Sequence, residues 1–482
     1  MNNLSFEELN LSGQILEAVH KLGYRNPSKV QQQVIPKAME NKDIIVKSQT
    51  GSGKTASFAI PLCESIDIEE RDPQALVLTP TRELCVQVKD EIANIGRLKR
   101  VRAAAVFGKQ PFSDQVRELK QRTHIVVGTP GRTLDHIERG SIVLDKIKYL
   151  VIDEADEMLN MGFIDQVEDV IKKLPKNRVT MLFSATISEE IDKLCGKHMK
   201  DPMKIEVNPE RITTERIKHI CYKVGYEYKF NLLKDILILE NIDSSIIFCS
   251  TKENVDEVSS KLNAQGFPCD KLHGGMMQKD RLDVMNAFKR GKFRILVATD
   301  VAARGIDVQD VSHIINYDIP MEKESYVHRT GRTGRAGKQG KAITFVNNYD
   351  NRFLLQIEEY LGFNLEREEI PSKDLVISLK KDFLDKLNTK PVLKKDKSSE
   401  LNKQVYKIYI NAGKKKKIRP GDIVGAILSV EGLTSDDIGI IDIQDGFSYI
   451  DILNGKGSKV LDGLNTDITI KGKSVKAQRA KK

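Results

Sequence analysis

Residues 43–55 read Asp43-Ile-Ile-Val-Lys-Ser-Gln-Thr-Gly-Ser-Gly-Lys-Thr55. The apolar run does not alternate, so it reads as a strand buried on both faces, as in a parallel sheet. Polar residues and glycines follow it, and Lys54-Thr55 opens a helix-like stretch. In the loop Thr50-Gly51-Ser52-Gly53, the glycines let backbone N–H groups approach phosphate oxygens. Lys54 can reach β- and γ-phosphates, and the Thr55 hydroxyl can bind Mg²⁺. The strict phosphate-loop pattern asks for Gly where Ser48 stands. A glycine turn that binds nothing is the plain alternative. Strand, glycines, Lys-Thr and helix in one order argue for ATP with Mg²⁺ instead.

Runs of the same kind recur. Ala75-Leu-Val-Leu, His124-Ile-Val-Val, Tyr149-Leu-Val-Ile and Thr180-Met-Leu-Phe belong to a first set. Ser245-Ile-Ile-Phe, Arg294-Ile-Leu-Val, His313-Ile-Ile-Asn and Ala342-Ile-Thr-Phe form a second. Helix-like stretches such as 82–95, 251–265 and 279–290 lie between them. The alternation predicts two α/β lobes with parallel sheets, whose polar strand ends bind ligands. The breaks divide the chain into a first lobe (1–207), a second lobe (208–368), a helical then flexible linker (369–403) and a small α+β unit (404–482).

The chain has 482 residues, enough for about three domains. No apolar run approaches the roughly 18 residues of a membrane span, and the start lacks a secretory pattern. Six scattered cysteines form no CxxC pair, which points to reduced thiols and a cytoplasmic protein. Basic residues number 77 and acidic ones 68, and the whole excess falls in residues 380–482. A neutral body with a basic end implies a polyanion partner held by that end. A solubilising tail is the bland alternative, and strand-like periodicity within the region argues against it.

In Tyr149-Leu-Val-Ile-Asp-Glu-Ala-Asp156, acids follow an apolar strand. Asp153 is placed to hold Mg²⁺ through water, and Glu154 to deprotonate an attacking water. Such acids often merely cap the next helix; a phosphate loop upstream in the same lobe favours chemistry. The second set has no Gly-Lys-Thr. It has His328-Arg-Thr-Gly-Arg-Thr-Gly-Arg335, read as arginines spaced by glycine at a helix start. Such arginines can act as fingers on a γ-phosphate bound by the other lobe.

Together these residues resemble the DEAD-box ATP-dependent RNA helicases from residue 6 to about 365. The resemblance implies two RecA-like lobes. Asp153-Glu-Ala-Asp156 is the family's name motif, and Gly23-Tyr-Arg-Asn-Pro-Ser-Lys-Val-Gln31 resembles its adenine-reading motif, with Phe6 upstream. By this resemblance Gln31 reads the adenine edge and Tyr24 stacks on the base. Ser184-Ala-Thr186 couples hydrolysis to strand separation, in concert with Asp156 and His328. Asp307 faces the ribose, and Arg332 and Arg335 face the γ-phosphate. Pro80-Thr81-Arg82, Gly108, Thr129, Gly131, Arg132, Arg281 and Thr299 match RNA-contacting motifs, suited to phosphate and 2′-OH rather than to base edges. Phe107-Gly108-Lys109 departs from the family's paired glycines.

Residues 404–482 resemble the RRM-like RNA-binding domain of the DbpA-type bacterial helicases. Tyr409, Phe447 and Tyr449 sit where aromatics stack bases, or serve as core. Lys414, Lys415, Lys416, Lys417 and Arg419 form a separate phosphate-binding candidate. The resemblance implies anchoring to a hairpin of large-subunit ribosomal RNA during ribosome assembly. Two rival readings are an ATP-gated RNA clamp, against which Glu154 argues, and a DNA helicase, against which Gln31 and the acidic motif argue.

Overall fold

The computed structural model describes residues 4–48, 51–207, 216–303, 311–334, 339–389, 391, 393, 398–466 and 468–480. These form three sheets. The first contains β1 (Ile44–Lys47), β2 (Ala75–Leu78), β3 (Ala103–Val106), β4 (Ile125–Gly128), β5 (Tyr149–Ile152), β6 (Val179–Ser184) and β7 (Met203–Glu206). Their order is β3-β4-β2-β5-β6-β1-β7, and every pairing is parallel. β2, β4, β5 and β6 are buried at every position, as their unbroken apolar runs require. Residues alternate between two cores: Val77, Val151 and Met181 face one, Leu76, Leu150 and Leu182 the other.

The second sheet contains β8 (Ile217–Lys223), β9 (Ser245–Phe248), β10 (Cys269–Leu272), β11 (Ile295–Ala298), β12 (His313–Asn316), β13 (Gly340–Val346) and β14 (Glu366–Glu368). It is again parallel throughout, in the order β10-β11-β9-β12-β13-β8-β14. A buried Lys229–Asp318 pair at 3.0 Å ties the end of β12 to a neighbouring helix. The third sheet is antiparallel, with β15 (Tyr406–Ile410), β16 (Ile438–Ile443), β17 (Ser448–Ile452) and β18 (Ala477–Arg479) in the order β16-β17-β15-β18. Helices Pro420–Leu428 and Gly457–Thr466 contribute to its core. All six cysteines are unpaired, five of them buried. Among the described residues no helix is long and apolar enough to cross a membrane.

The expected linker is mostly structured. Helix Lys373–Asn388 buries Val376 and Phe383 in the second lobe's core, where Phe267 meets Phe383 at 5.6 Å. Arg294 of the same lobe donates to the Lys386 carbonyl at 3.4 Å. In the sequence this stretch reads as a helical tether; Val376, Leu379, Phe383 and Leu387 recur on one helical face and seat it, while Leu375, Ile377 and Leu384 stay exposed. Helix Ser399–Gln404 instead sends Leu401 into the first lobe's core. The first lobe and the C-terminal sheet belong to one unit, and the second lobe with helix Lys373–Asn388 to another.

The second lobe should therefore depend on Phe383. Phe383→Ala is expected to destabilise it by about 3–5 kcal/mol. Hydrogen exchange at β9 and β11 would rise while β2 and β5 stay protected; unchanged protection would place the helix outside that lobe's fold.

Candidate ATP and RNA sites

In a parallel sheet the C-terminal strand ends share one edge, where ligands bind. In the first lobe, the loops after β1, β5 and β6 carry the phosphate loop, the acidic motif and Ser184-Ala-Thr186. The loops after β2, β3 and β4 carry Pro80-Thr81-Arg82, Gly108 and Thr129-Pro-Gly131-Arg132. The strand order places β3, β4 and β2 side by side on one half and β5, β6 and β1 on the other.

The phosphate loop is strapped from behind. Gly51 and Gly53 have φ of +82° and +92°, which glycine adopts without a Cβ penalty. A Cβ on Gly53 would stand 2.7 Å from Gln31 Nε2. Ser28 caps helix Lys29–Met39 in a capping box with Gln31. The Ser28 hydroxyl donates to the Ser52 carbonyl at 2.8 Å, and Gln31 Nε2 donates to the Gly53 carbonyl at 3.2 Å. Gln31 Oε1 accepts from Ser28 N at 2.9 Å. Gln31 is thus buried and holds the loop itself, a role its side-chain chemistry alone did not reveal. Lys54 Nζ donates to the Ser48 carbonyl at 3.2 Å, and Ser52 Oγ to Ser48 Oγ at 3.3 Å. Tyr24 is half-buried, edge-on to Phe6 and hydrogen-bonded to Glu91. Thr55 lies in the first turn of helix Lys54–Ser65.

Asp153 and Glu154 are both buried at the end of β5. Burial pushes the Asp153 carboxyl well above the ordinary carboxylate range; Lys54 opposes that rise and Glu154 adds to it. Glu154 sits at φ +53°, ψ +54°, and its side chain makes no capping bond to helix Ala155–Asn160. Ten other non-glycine residues among those described also have positive φ, so the backbone alone does not set Glu154 apart; its burial beside Asp153 does. The plain capping role is therefore not the one this residue plays.

Asp156 joins β5 to β6. Its Oδ2 accepts from Ala185 N and Thr186 N, both at 3.0 Å, and from Thr186 Oγ1 at 3.3 Å. Its own N–H donates to Ser184 Oγ at 3.2 Å, and Ser184 Oγ donates to the Thr186 carbonyl at 2.6 Å. One carboxylate thus holds the whole Ser184–Thr186 turn.

The half formed by the loops after β2, β3 and β4 is equally braced. Thr81 caps helix Arg82–Ile95 through Leu84 N at 3.2 Å. A Cβ on Gly108 would meet Arg82 Nη2 at 3.6 Å, so the loops after β2 and β3 converge. Arg132 Nη1 donates to the Gln110 carbonyl at 3.1 Å and to Gln115 Oε1 at 2.9 Å, linking the loops after β3 and β4. His136 stacks on Phe112 at 4.1 Å. Burial holds its pKa down to about 4, with Arg132 adding to the effect, so it stays neutral at physiological pH. Gln110, Gln115 and His136 carried no motif signal in the sequence.

In the second lobe, Arg281 is buried on helix Gln278–Lys289 and Thr299 follows β11. The arginine run lies at a helix end, not a start: His328 and Arg329 occupy the last turn of Lys323–Thr330, which Gly331 closes. Glycine is the poorest helix former after proline, so the run's glycines fall where the helix stops. Arg329 is a buried strut. Its Nη2 meets Asp300 Oδ2 at 2.5 Å, and its Nη1 donates to Asn316 Oδ1 at 2.9 Å and the Asp318 carbonyl at 2.8 Å. Arg332 is buried just beyond. Thr50, Asp307 and Arg335 lie outside the described residues.

On the C-terminal sheet, Tyr409 pairs directly with Tyr449, and Phe447 completes a cluster with centroids 5.4–5.8 Å apart. All three are half-exposed while Ile408, Ile410 and Ile450 fill the core, so the aromatics are not core residues. Lys414, Lys415 and Lys416 form a helical turn and Lys417 follows it; Lys471 and Lys473 place Nζ on the Lys417 and Lys416 carbonyls at 3.1 and 3.2 Å.

Comparison with known proteins agrees with this geometry. Residues 28–194 match the DEAD/DEAH box helicase family, and residues 228–337 the helicase conserved C-terminal domain. The chain belongs to the DEAD-box ATP-dependent RNA helicases, RNA-stimulated ATPases. Within them it is of the DbpA type: residues 407–479 match the DbpA RNA binding domain. It is 60% identical over 477 residues to the ATP-dependent RNA helicase DbpA of Bacillus subtilis, covering 99% of each chain. It is 43% identical over 370 residues to the helicase CshA of Geobacillus kaustophilus, covering 77% of this chain and 79% of that one. Among solved structures, S. cerevisiae Dbp5 bound to RNA and ADP BeF3 superposes with TM-score 0.71 at 32% identity, over 79% of this chain and 99% of that one. Mss116 bound to ssRNA and UDP-BeF gives 0.70 at 27%, over 80% and 84%.

Asp156→Ala should free the Ser184–Thr186 turn. Loss of bonds to a charged acceptor is expected to cost about 1.5–3 kcal/mol. Hydrogen exchange at the Ala185 and Thr186 amides would speed up accordingly; unchanged exchange would remove Asp156 as the link.

Proposed function

We propose that this helicase is anchored by its C-terminal domain to a hairpin of large-subunit ribosomal RNA. Its lobes then open short duplexes nearby, serving ribosome assembly in the cytoplasm. The observation that carries this reading is the clustering of Lys414–Lys417, Arg419, Lys471 and Lys473 on a domain whose sheet also exposes Tyr409, Phe447 and Tyr449. Cations supply salt-sensitive affinity for phosphates, and exposed aromatics stack bases.

In the ATP site, Lys54 and the Gly51–Gly53 backbone bind phosphates, and Glu154 takes the proton from the attacking water. The Thr55 hydroxyl and Asp153 carboxylate are hard oxygen donors suited to Mg²⁺, and a buried carboxylate raised by desolvation is one that a cation would relieve. Bound there, Mg²⁺ would neutralise phosphate charge. The clamp reading is not favoured, because holding RNA needs no strained, buried Glu154 beside Asp153.

Glu154→Gln keeps the side chain's shape and removes the base. ATP and RNA binding should persist while steady-state turnover falls at least about 100-fold. Near-normal turnover would remove Glu154 from that role.

A chain ending at Thr389 keeps helix Lys373–Asn388 and loses the C-terminal domain. It should need more RNA for half-maximal ATPase and respond alike to ribosomal and unrelated structured RNA at matched salt. Retained preference would assign target choice to the lobes.

A further inference from the structure

The first lobe and the C-terminal domain enclose a cavity of about 1100 Å³. On the lobe side it lies at the N-terminal ends of β2, β3 and β4, the edge opposite the motif loops. On the domain side it is walled by edge strand β16 and the start of helix Pro420–Leu428. Cations reach it from both walls: Arg71, Lys120 and Arg122 from the lobe, Lys414 and Arg419 from the domain. Arg122 is answered by Glu69 at 3.3 Å. Among the described residues, the side chains of Arg71, Lys120, Lys414 and Arg419 are exposed and make no ion pair. Two further acids line the cavity: Asp72 beside Arg71, and Asp422, which accepts from Arg419 N at 2.8 Å within its own helix start.

The walls are fixed by a separate set of contacts. Arg97 Nη2 meets the buried Asp451 carboxylate at 3.3 Å, and Arg102 Nη1 donates to the Ile441 carbonyl at 2.8 Å. Arg100 Nη1 reaches the Ser435 carbonyl at 3.5 Å. Leu401, Val405 and Leu453 join the lobe's apolar core. Docking therefore uses some of the basic residues and leaves others on the two walls of one cavity. Like charges held this way repel, and a polyanion between them removes the repulsion.

We propose that this cleft is a second RNA site, in which phosphates of a strand adjoining the anchored hairpin are held by Arg71 and Lys120 of the first lobe together with Lys414 and Arg419. The proposal rests on the reading of the C-terminal domain as the RNA anchor. The cleft would give the anchored RNA a fixed position relative to the first lobe instead of a loose tether. Cations without interleaved aromatics suit the backbone and carry no sequence preference.

The test uses the full chain without nucleotide and a fluorescent RNA hairpin with a single-stranded flank, titrated by anisotropy at several salt concentrations. One variant carries Arg71→Glu with Lys120→Glu, and another Lys415→Glu with Lys417→Glu, outside the cavity wall. The lobe variant should bind about tenfold more weakly, and its salt dependence should fall by roughly one power of concentration per lost phosphate contact. A hairpin without the flank should lose that difference. If the lobe variant binds as the unaltered chain does while the lysine variant is weakened, the cleft is overturned and the anchor stands. If both bind normally, the anchor falls with it. Weakening with an unchanged salt slope, or competition by an acidic peptide but not by the flank, would also overturn the RNA assignment.

Discussion

All seven strands of the first lobe run the same way, and the loops that follow them therefore emerge at one edge. Strand order then sorts the chemistry. β3, β4 and β2 present arginine, threonine and glycine; β5, β6 and β1 present the acids, the Ser184–Thr186 turn and the phosphate loop. The two halves meet where β2 lies beside β5, with Leu78 in register with Ile152 and Asp153 N donating to the Leu78 carbonyl at 3.0 Å. Adjacent strands are about 4.8 Å apart, so Thr81-Arg82 and Glu154 follow neighbouring strands of one rigid sheet. Asp156 extends this to β6 by holding the next turn with its carboxylate. Any shift of the loops after β2, β3 or β4 acts on the same hydrogen-bonded edge that places Glu154.

That edge also stores cost. Asp153 is a desolvated carboxyl, and Glu154 occupies left-handed backbone. Neither is stable in isolation, and the packing around β5 must over-determine them. The ready state of the site is built into the fold, and nucleotide meets a loop already strapped by Ser28 and Gln31.

The parallel sheets were legible because β2, β4 and β5 read Ala-Leu-Val-Leu, Ile-Val-Val-Gly and Tyr-Leu-Val-Ile, with no polar face to spare. The phosphate loop and acidic motif were legible because their spacing is local. What stayed hidden was long-range. Gln31 gave no sign that both ends of its amide are committed to Ser28 and Gly53. Arg329 looked like its neighbours at 332 and 335 until Asp300, 29 residues away, was seen to bury it. The stretch Arg97-Leu-Lys-Arg-Val-Arg102 carries no motif, and only folding shows it meeting Asp451 and Ile441. Residues 373–388 read as the helical start of a linker because charged residues fill much of the stretch, yet Val376, Leu379, Phe383 and Leu387 seat the helix in the second lobe's core.

The C-terminal domain sits at the opposite edge of the same sheet, so one lobe offers a motif edge and an anchoring edge. The central claim is the division of the motif edge, and photocrosslinking tests it most directly. Single-stranded RNA carrying a photoreactive base would be bound to the full chain with a non-hydrolysable ATP analogue, and the adducts mapped by mass spectrometry. On the motif edge of the first lobe, adducts confined to the loops after β2, β3 and β4 are the predicted result. Adducts in the loops after β1, β5 or β6 would contradict it.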